Sequence, residues 1–317
     1  MNPQASVPAF GAAGAQRRDA ESMLVPVTER DQLHIRHFGG GNRNTTVVVL
    51  HDIFSDGSLF FRDGDALGSR LAQAGFDVWV PDLRGHGRSW PLLTRENAKE
   101  FDYGFHAAVT GDLATVIGQL REQAPENPVY LVGHGVGGLL WLSFLARWPV
   151  VREMVRGIVL LGSATQRARG GLRNSWRWNV RDGWFADWRA LQYGLVNKTG
   201  AGGEPAVECK AFYRDIRRLL GAGWVDPADG LDHAAQLAQL PYWPPTLVVA
   251  ADHDAPWGGP EAARALQLQL PPHDGRLYRF PQSSGVRLLG PRSALAGGAG
   301  AGELQALVLD WLAAFDG

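Results

Sequence analysis

The residues with chemistry to offer fall in four short stretches. The first is Leu50-His51-Asp52-Ile53, and the second is Pro81-Asp82-Leu83-Arg84-Gly85-His86-Gly87-Arg88-Ser89. The third is Leu131-Val132-Gly133-His134-Gly135-Val136-Gly137-Gly138, and the fourth is Ala250-Ala251-Asp252-His253-Asp254. Histidine near aspartate suits proton transfer, so His51 and His253 are candidate acid–base groups and Asp254 is a carboxylate able to orient one. His253 between two aspartates also has metal-ligand donor types. One His with two Asp in a loop is more often simple solvated polarity, and no metal is expected. Cys209 is the only cysteine, which leaves neither a disulfide framework nor a cysteine metal cluster. As a nucleophile it would need a nearby base. So would Ser55, Ser58, Ser283 or Ser284, with His51 or His253 as the available imidazoles.

These stretches must be positioned by the elements around them. Thr45–Leu50, Asp77–Val80, Val129–Val132, Gly157–Leu161 and Leu247–Ala250 are continuous apolar runs, the mark of strands buried on both faces. Met23–Val27 and Gln32–Phe38 read as two strands joined by a turn around Arg30-Asp31, and Gly275–Phe280 as the last strand. Helical periodicity appears in Ala66–Ala74, His106–Glu122, Gly138–Arg147, Pro260–Leu270 and Glu303–Ala314. Strand and helix in alternation predict an α/β fold, a parallel sheet with helices on both faces. Ligands in such sheets bind beyond the carboxyl ends of the strands, where the four stretches lie. The alternation breaks between Ser163 and about Leu240, a Trp-, Arg- and Gly-rich segment with helical pieces and no strong strand. The expected organisation is a tail at 1–21, a core at 22–162 and 241–317, and a cap at 163–240. The tail is polar and rich in Ala and Gly, and is expected to be disordered.

In order and spacing the four motifs resemble the α/β-hydrolase family, in the branch of monoacylglycerol lipases, lysophospholipases and related esterases. The resemblance covers about residues 22–317. It implies a mostly parallel sheet of about eight strands with helices on both faces, and a helical cap inserted after the sixth strand. It also implies that Gly133 to Gly137 is the nucleophile elbow, G-x-S-x-G in the family, whose central residue is strained and projects above the sheet. The N–H groups of Val136 and Ile53 would form the oxyanion hole, the first of them at a helix N-terminus. Asp52 stands where the family usually has glycine, and a carboxylate there would oppose negative charge unless it points away. Gly135 holds the central position and has no side chain to attack a carbonyl. The family's histidine would lie near Gly285 or Val286, yet no histidine follows His273, which precedes the last strand. Asp254 is then a remnant acid with no histidine to orient. At the remaining histidines, His51, His86 and His134, the resemblance implies packing and loop hydrogen bonds.

Composition narrows the function classes. The chain has 317 residues, 45% hydrophobic, with 12 Trp, which excludes disorder. Net charge is −1, so no global field favours nucleic acid. No apolar run reaches the roughly 18 residues of a membrane span, and Met1 to Ala20 lacks the apolar region of a signal peptide, so a cytoplasmic protein is expected. No cofactor is implied. From Ser163 to Arg218 there are eleven Arg or Lys against five acids, interleaved with Trp176, Trp178, Trp184 and Trp188. That pattern suits a small apolar or anionic ligand under the cap, or peripheral lipid contact of the cap. The plainer reading is a solvated Arg-rich face over tryptophans that pack the lid, because 28 of the 31 basic residues are Arg. Two functions follow: a ligand-binding or scaffold pseudoenzyme, degenerate for serine hydrolysis, or an active enzyme with a non-standard site. The second covers a carboxylic-ester or lipid hydrolase and a non-triad lyase or isomerase.

Overall fold

The computed structural model describes residues 20–39, 41–166, 192–199, 205–254, 258–290 and 293–316. Two strands, β1 (Glu21–Pro26) and β2 (Gln32–Phe38), pair antiparallel, so the chain is already in the sheet at Glu21, where the tail was expected to end. Then come β3 (Thr46–Leu50), α1 (Leu67–Gln73), β4 (Asp77–Pro81) and a helical run. That run joins α2 (Phe105–Ala107) to α3 (Ala114–Gln123) through a π-helical turn at Ala108–Leu113. The expected helix over His106–Glu122 is therefore present but widened in its first half. The π turn carries buried Asp112, which accepts from Arg84 Nε at 2.6 Å and from the Tyr103 hydroxyl at 2.9 Å and so ties down the loop after β4.

Next come β5 (Val129–His134), α4 (Val136–Arg147) and β6 (Val155–Leu161). Past the intervening segment lie β7 (Leu195–Thr199), β8 (Pro205–Cys209), α5 (Lys210–Ala222) and α6 (His233–Ala238). The chain then returns through β9 (Thr246–Ala251), α7 (Pro260–Gln267), β10 (Gly275–Phe280) and α8 (Ala301–Ala314). Eight strands make one sheet in the order β1-β2-β4-β3-β5-β6-β9-β10. Only the β1–β2 and β2–β4 pairings are antiparallel.

The period-two alternation of the central strands explains the two layers around this sheet. Val48 and Leu50 of β3, Leu131 of β5, and Ile158 and Leu160 of β6 face one apolar core with α3, α4 and α7. Val47 and Val49, Val132, and Val159 and Leu161 face the other, with α1 and α8. Strands apolar on both sides can only be buried between two helical layers, which is why these runs were legible without alternation.

The segment between β6 and β9 departs from expectation. Helical pieces without a strong strand were predicted there, yet β7 and β8 form a two-stranded antiparallel ribbon, with Val196 opposite Glu208 and Lys198 opposite Ala206. Each strand has only five residues of mixed polarity, too short for a pattern to stand out. Trp176, Trp178, Trp184 and Trp188 lie outside the described residues. Among the described residues no helix is long and apolar enough to cross a membrane.

Candidate active site

The turn from β5 into α4 keeps the elbow backbone. Gly135 has φ +53° and ψ −117°, a region open to glycine and strained for other residues. Its neighbours are small because backbone presses on them. A Cβ at Gly137 would lie 2.6 Å from the carbonyl oxygens of Leu50 and His51, and one at Gly133 would overlap Gly138.

Above this turn sits the carboxyl group of Asp52. A Cβ built at Gly135 would overlap it, so the space of any side chain at position 135 is filled by a neighbour's. The Val136 N–H, at the N-terminus of α4, donates to Asp52 Oδ1 at 2.7 Å. The Ile53 N–H also lowers the Asp52 carboxyl, less than the Val136 N–H does. The Val136 amide assigned to the oxyanion hole thus serves the protein's own carboxyl. Asp52 does not point away, as an unobstructed oxyanion hole would require. Burial pushes its carboxyl up to about 7, against the two amides and the Lys198 charge that pull it down.

The β7–β8 ribbon brings further charge to this point and α5 the Tyr213 ring, which sequence reasoning missed. The Lys198 ammonium lies 5.0 Å from the Phe54 ring centre and 5.1 Å from that of Tyr213. Phe54 follows Ile53 with φ +59°, the one positive value at a described non-glycine residue. Glu208 is buried and holds His86 Nε2 at 2.9 Å, and its charge lifts the imidazole to about 9 although burial opposes it. The His86 ring centre is 5.1 Å from that of His51.

His51 donates from Nδ1 to the Asp52 carbonyl at 2.8 Å and accepts the Leu83 N–H on Nε2 at 3.0 Å. Both its nitrogens are used by backbone, and burial holds it neutral, with a value near 4. His134 donates from Nε2 to the Leu288 carbonyl at 2.7 Å. Cys209 is buried, donates to the Tyr103 carbonyl at 2.9 Å, and has its thiol pushed up by burial.

The Asp252-His253-Asp254 stretch does not converge. Asp252 takes both Nε and Nη2 of Arg279, at 2.6 and 2.8 Å. His253 Nε2 donates to the Gln282 carbonyl at 3.0 Å. Asp254 is buried and accepts the N–H groups of Leu288 and Leu289 at 2.8 and 3.2 Å, and burial raises it to about 6. Val286, in the loop where the family's histidine would sit, is buried in the apolar core. His273 precedes β10, at the opposite end of that strand. A surface cavity of about 220 Å³ lies beside Asp56–Ser58 and Arg88, with His34, Arg36 and Asp82 in its wall, and it does not include Gly135.

Arranged this way, the site offers a carboxyl that titrates near neutrality, an ammonium and an imidazolium–carboxylate pair. No nucleophile is hydrogen-bonded to a base around the elbow among the described residues; the hydroxyl–imidazole–carboxylate chain of Ser22 Oγ, His34 Nε2 at 3.1 Å and Asp82 Oδ2 at 2.9 Å from His34 Nδ1 lies at the β1–β2 edge of the sheet. Sheet order, elbow geometry and strand-end loops define the class: the chain has the α/β-hydrolase fold. The family described as serine aminopeptidase, S33, matches residues 42–197. Triacylglycerol lipase 1 of Arabidopsis thaliana is 34% identical over 119 residues, 36% of this chain and 30% of the lipase. Lysosomal acid lipase/cholesteryl ester hydrolase of Homo sapiens is 23% identical over 154 residues, 45% of this chain and 39% of that protein. The chain thus spans about a third of the length of the curated relatives it matches. A soluble variant of monoglyceride lipase from Saccharomyces cerevisiae, solved with a substrate analog, superposes with TM-score 0.70 at 14% identity, over 95% of this chain and 96% of that one. A thermophilic esterase from Thermogutta terrifontis gives 0.56 at 18% identity, over 94% and 100%. The relatives are lipase- and esterase-like.

Proposed function

We propose that this chain is a lipase- and esterase-like α/β-hydrolase relative that has lost serine-based acyl transfer. It uses the region above its elbow to bind a small apolar or anionic ligand, under a cap formed by residues 163–240. One observation carries the reading: the Asp52 carboxyl fills the room above Gly135 and takes the Val136 N–H at 2.7 Å. Acyl transfer needs a nucleophile there and a free donor for the oxyanion. Both requirements fail at the same point, and no histidine stands near Gly285 or Val286 to act as the general base. In the serine protease taken as reference, loss of nucleophile or base alone lowers turnover by about 10⁶. The purified chain, treated with a fluorophosphonate probe and analysed by mass spectrometry, is expected to stay unlabelled. Stoichiometric labelling would overturn the reading.

A second reading has support of its own. A carboxyl titrating near 7 beside an ammonium is suited to proton transfer at neutral pH, so Asp52 could serve a lyase or isomerase as its acid–base group. Turnover on such a substrate, lost in Asp52→Asn but kept in His253→Ala, would favour it over binding alone. His51 is less suited to that role, because both of its nitrogens are held by backbone.

A further inference from the structure

His233 opens α6 and is fully buried between the rings of Phe105 and Trp224, yet neither of its nitrogens has a hydrogen-bond partner. An unpaired buried polar group costs about 1–3 kcal/mol and calls for a partner. Its Nε2 lies 3.9 Å from Asp226 Oδ2, a buried carboxylate oxygen. On that same oxygen, His106 Nδ1 lies at 3.1 Å, and it is 4.0 Å from Asp229 Oδ2. Ligand atoms of His106, Asp226 and Asp229 all fall within 4.8 Å of one another. His106 comes from α2, whereas the other three residues come from the stretch that leads back to β9. The side chains of His106 and Asp229 are 35% and 40% exposed, which leaves an ion a route in from water.

We propose that His106, Asp226, Asp229 and His233 form a site for a divalent ion of the zinc type. Two imidazoles and two carboxylates are a borderline donor set of tetrahedral count, suited to Zn²⁺ rather than to Mg²⁺ or Ca²⁺, which take oxygen ligands alone. The ion gives the orphaned His233 nitrogen a partner. It also ties α2 of the core to the returning stretch, whose histidine and aspartates are 120 residues and more away in sequence.

Arg147 sets the strength of this site. Its Nη1 donates to Asp229 Oδ2 at 2.7 Å, and its Nη2 to Asp226 Oδ2 and Asp229 Oδ1 at 2.9 and 3.2 Å. The guanidinium already offsets one of the two carboxylate charges, so an arriving cation is partly repelled. Removing that charge strengthens metal binding, whereas removing a ligand weakens it. A carboxylate pair that bound the ion without the imidazole would not respond to His106→Ala.

The test is independent of the elbow and needs no substrate. The full chain, stripped with chelator, is titrated with Zn²⁺ against a chromophoric competitor and, separately, with Co²⁺ followed by visible absorption. One Zn²⁺ per chain is expected, with the intense Co²⁺ bands of tetrahedral coordination and a higher melting temperature in Zn²⁺ than in chelator. His106→Ala and Asp229→Ala alter partly exposed side chains, and each is expected to weaken binding by about tenfold or more. Arg147→Gln is expected to tighten it. A wild-type chain that takes up no stoichiometric Zn²⁺, an affinity unchanged by His106→Ala, or a weaker Arg147→Gln variant would each overturn the site. A melt in chelator shows that every variant is folded.

Discussion

Asp52 and Asp254 meet the same problem at two places. Each carboxyl accepts backbone N–H groups, and each is raised by burial, Asp52 to about 7 and Asp254 to about 6. They differ in what surrounds those amides. Asp254 holds two consecutive N–H groups of the loop after β10, where the nearby Val286 is packed into the core. Asp52 holds the N–H that opens α4 and, in doing so, fills the space over Gly135. One carboxyl orders the loop after β10; the other fills the space over Gly135. Buried backbone donors cost about 1–3 kcal/mol each if left unpaired. An aspartate within reach satisfies them.

The sharpest break of this comparison is at the backbone beneath Asp52. Gly137→Ala would push a methyl against the carbonyls of Leu50 and His51, and should cost about 3–5 kcal/mol by denaturant unfolding. Asp52→Asn comes next and is read through pH. An acid held above its ordinary value keeps its proton while the unfolded chain releases one, so stability falls as pH rises from about 4 to 7. Asp52→Asn removes that loss. It should match wild type near pH 4 and exceed it by roughly 2–4 kcal/mol at pH 8. Equal stabilities at pH 8 would show that Asp52 is ionised without penalty. Gly135→Ser should cost about 1–3 kcal/mol from its backbone angles alone, more with Asp52 in place, and less in Asp52→Gly. Asp254→Asn should show the smallest effect, a gain of about 1–2 kcal/mol that grows between pH 4 and 6. If Asp254→Asn exceeded Asp52→Asn at pH 8, the order of the two carboxyls would be reversed.

Much of this fold was legible because strands buried on both faces leave unbroken apolar runs. Thr46–Leu50, Val129–His134 and Thr246–Ala251 fall where such runs lie. That position 135 carries no side chain was legible for a simpler reason, since a glycine is a fact of sequence. Where the Asp52 carboxyl goes was not. Sequence exposes the conflict between a carboxylate and an oxyanion hole, but the resolution depends on a side-chain rotamer aimed at one N–H. The pairing of His86 with Glu208 joins residues 122 positions apart through a ribbon of two five-residue strands, and no local pattern encodes it. The gathering of His106 with Asp226 is hidden for the same reason.

The central claim is that Asp52 occupies the place of both nucleophile and oxyanion. Fluorophosphonate labelling of two variants, located by mass spectrometry, tests it most directly. Gly135→Ser/Val286→His supplies the missing side chains but leaves Asp52 where it is, and is expected to remain unlabelled. Adding Asp52→Gly empties the space and frees the Val136 N–H, and the triple variant is expected to label at position 135. Equal labelling of the double and triple variants, or labelling of the wild-type chain, would contradict the account.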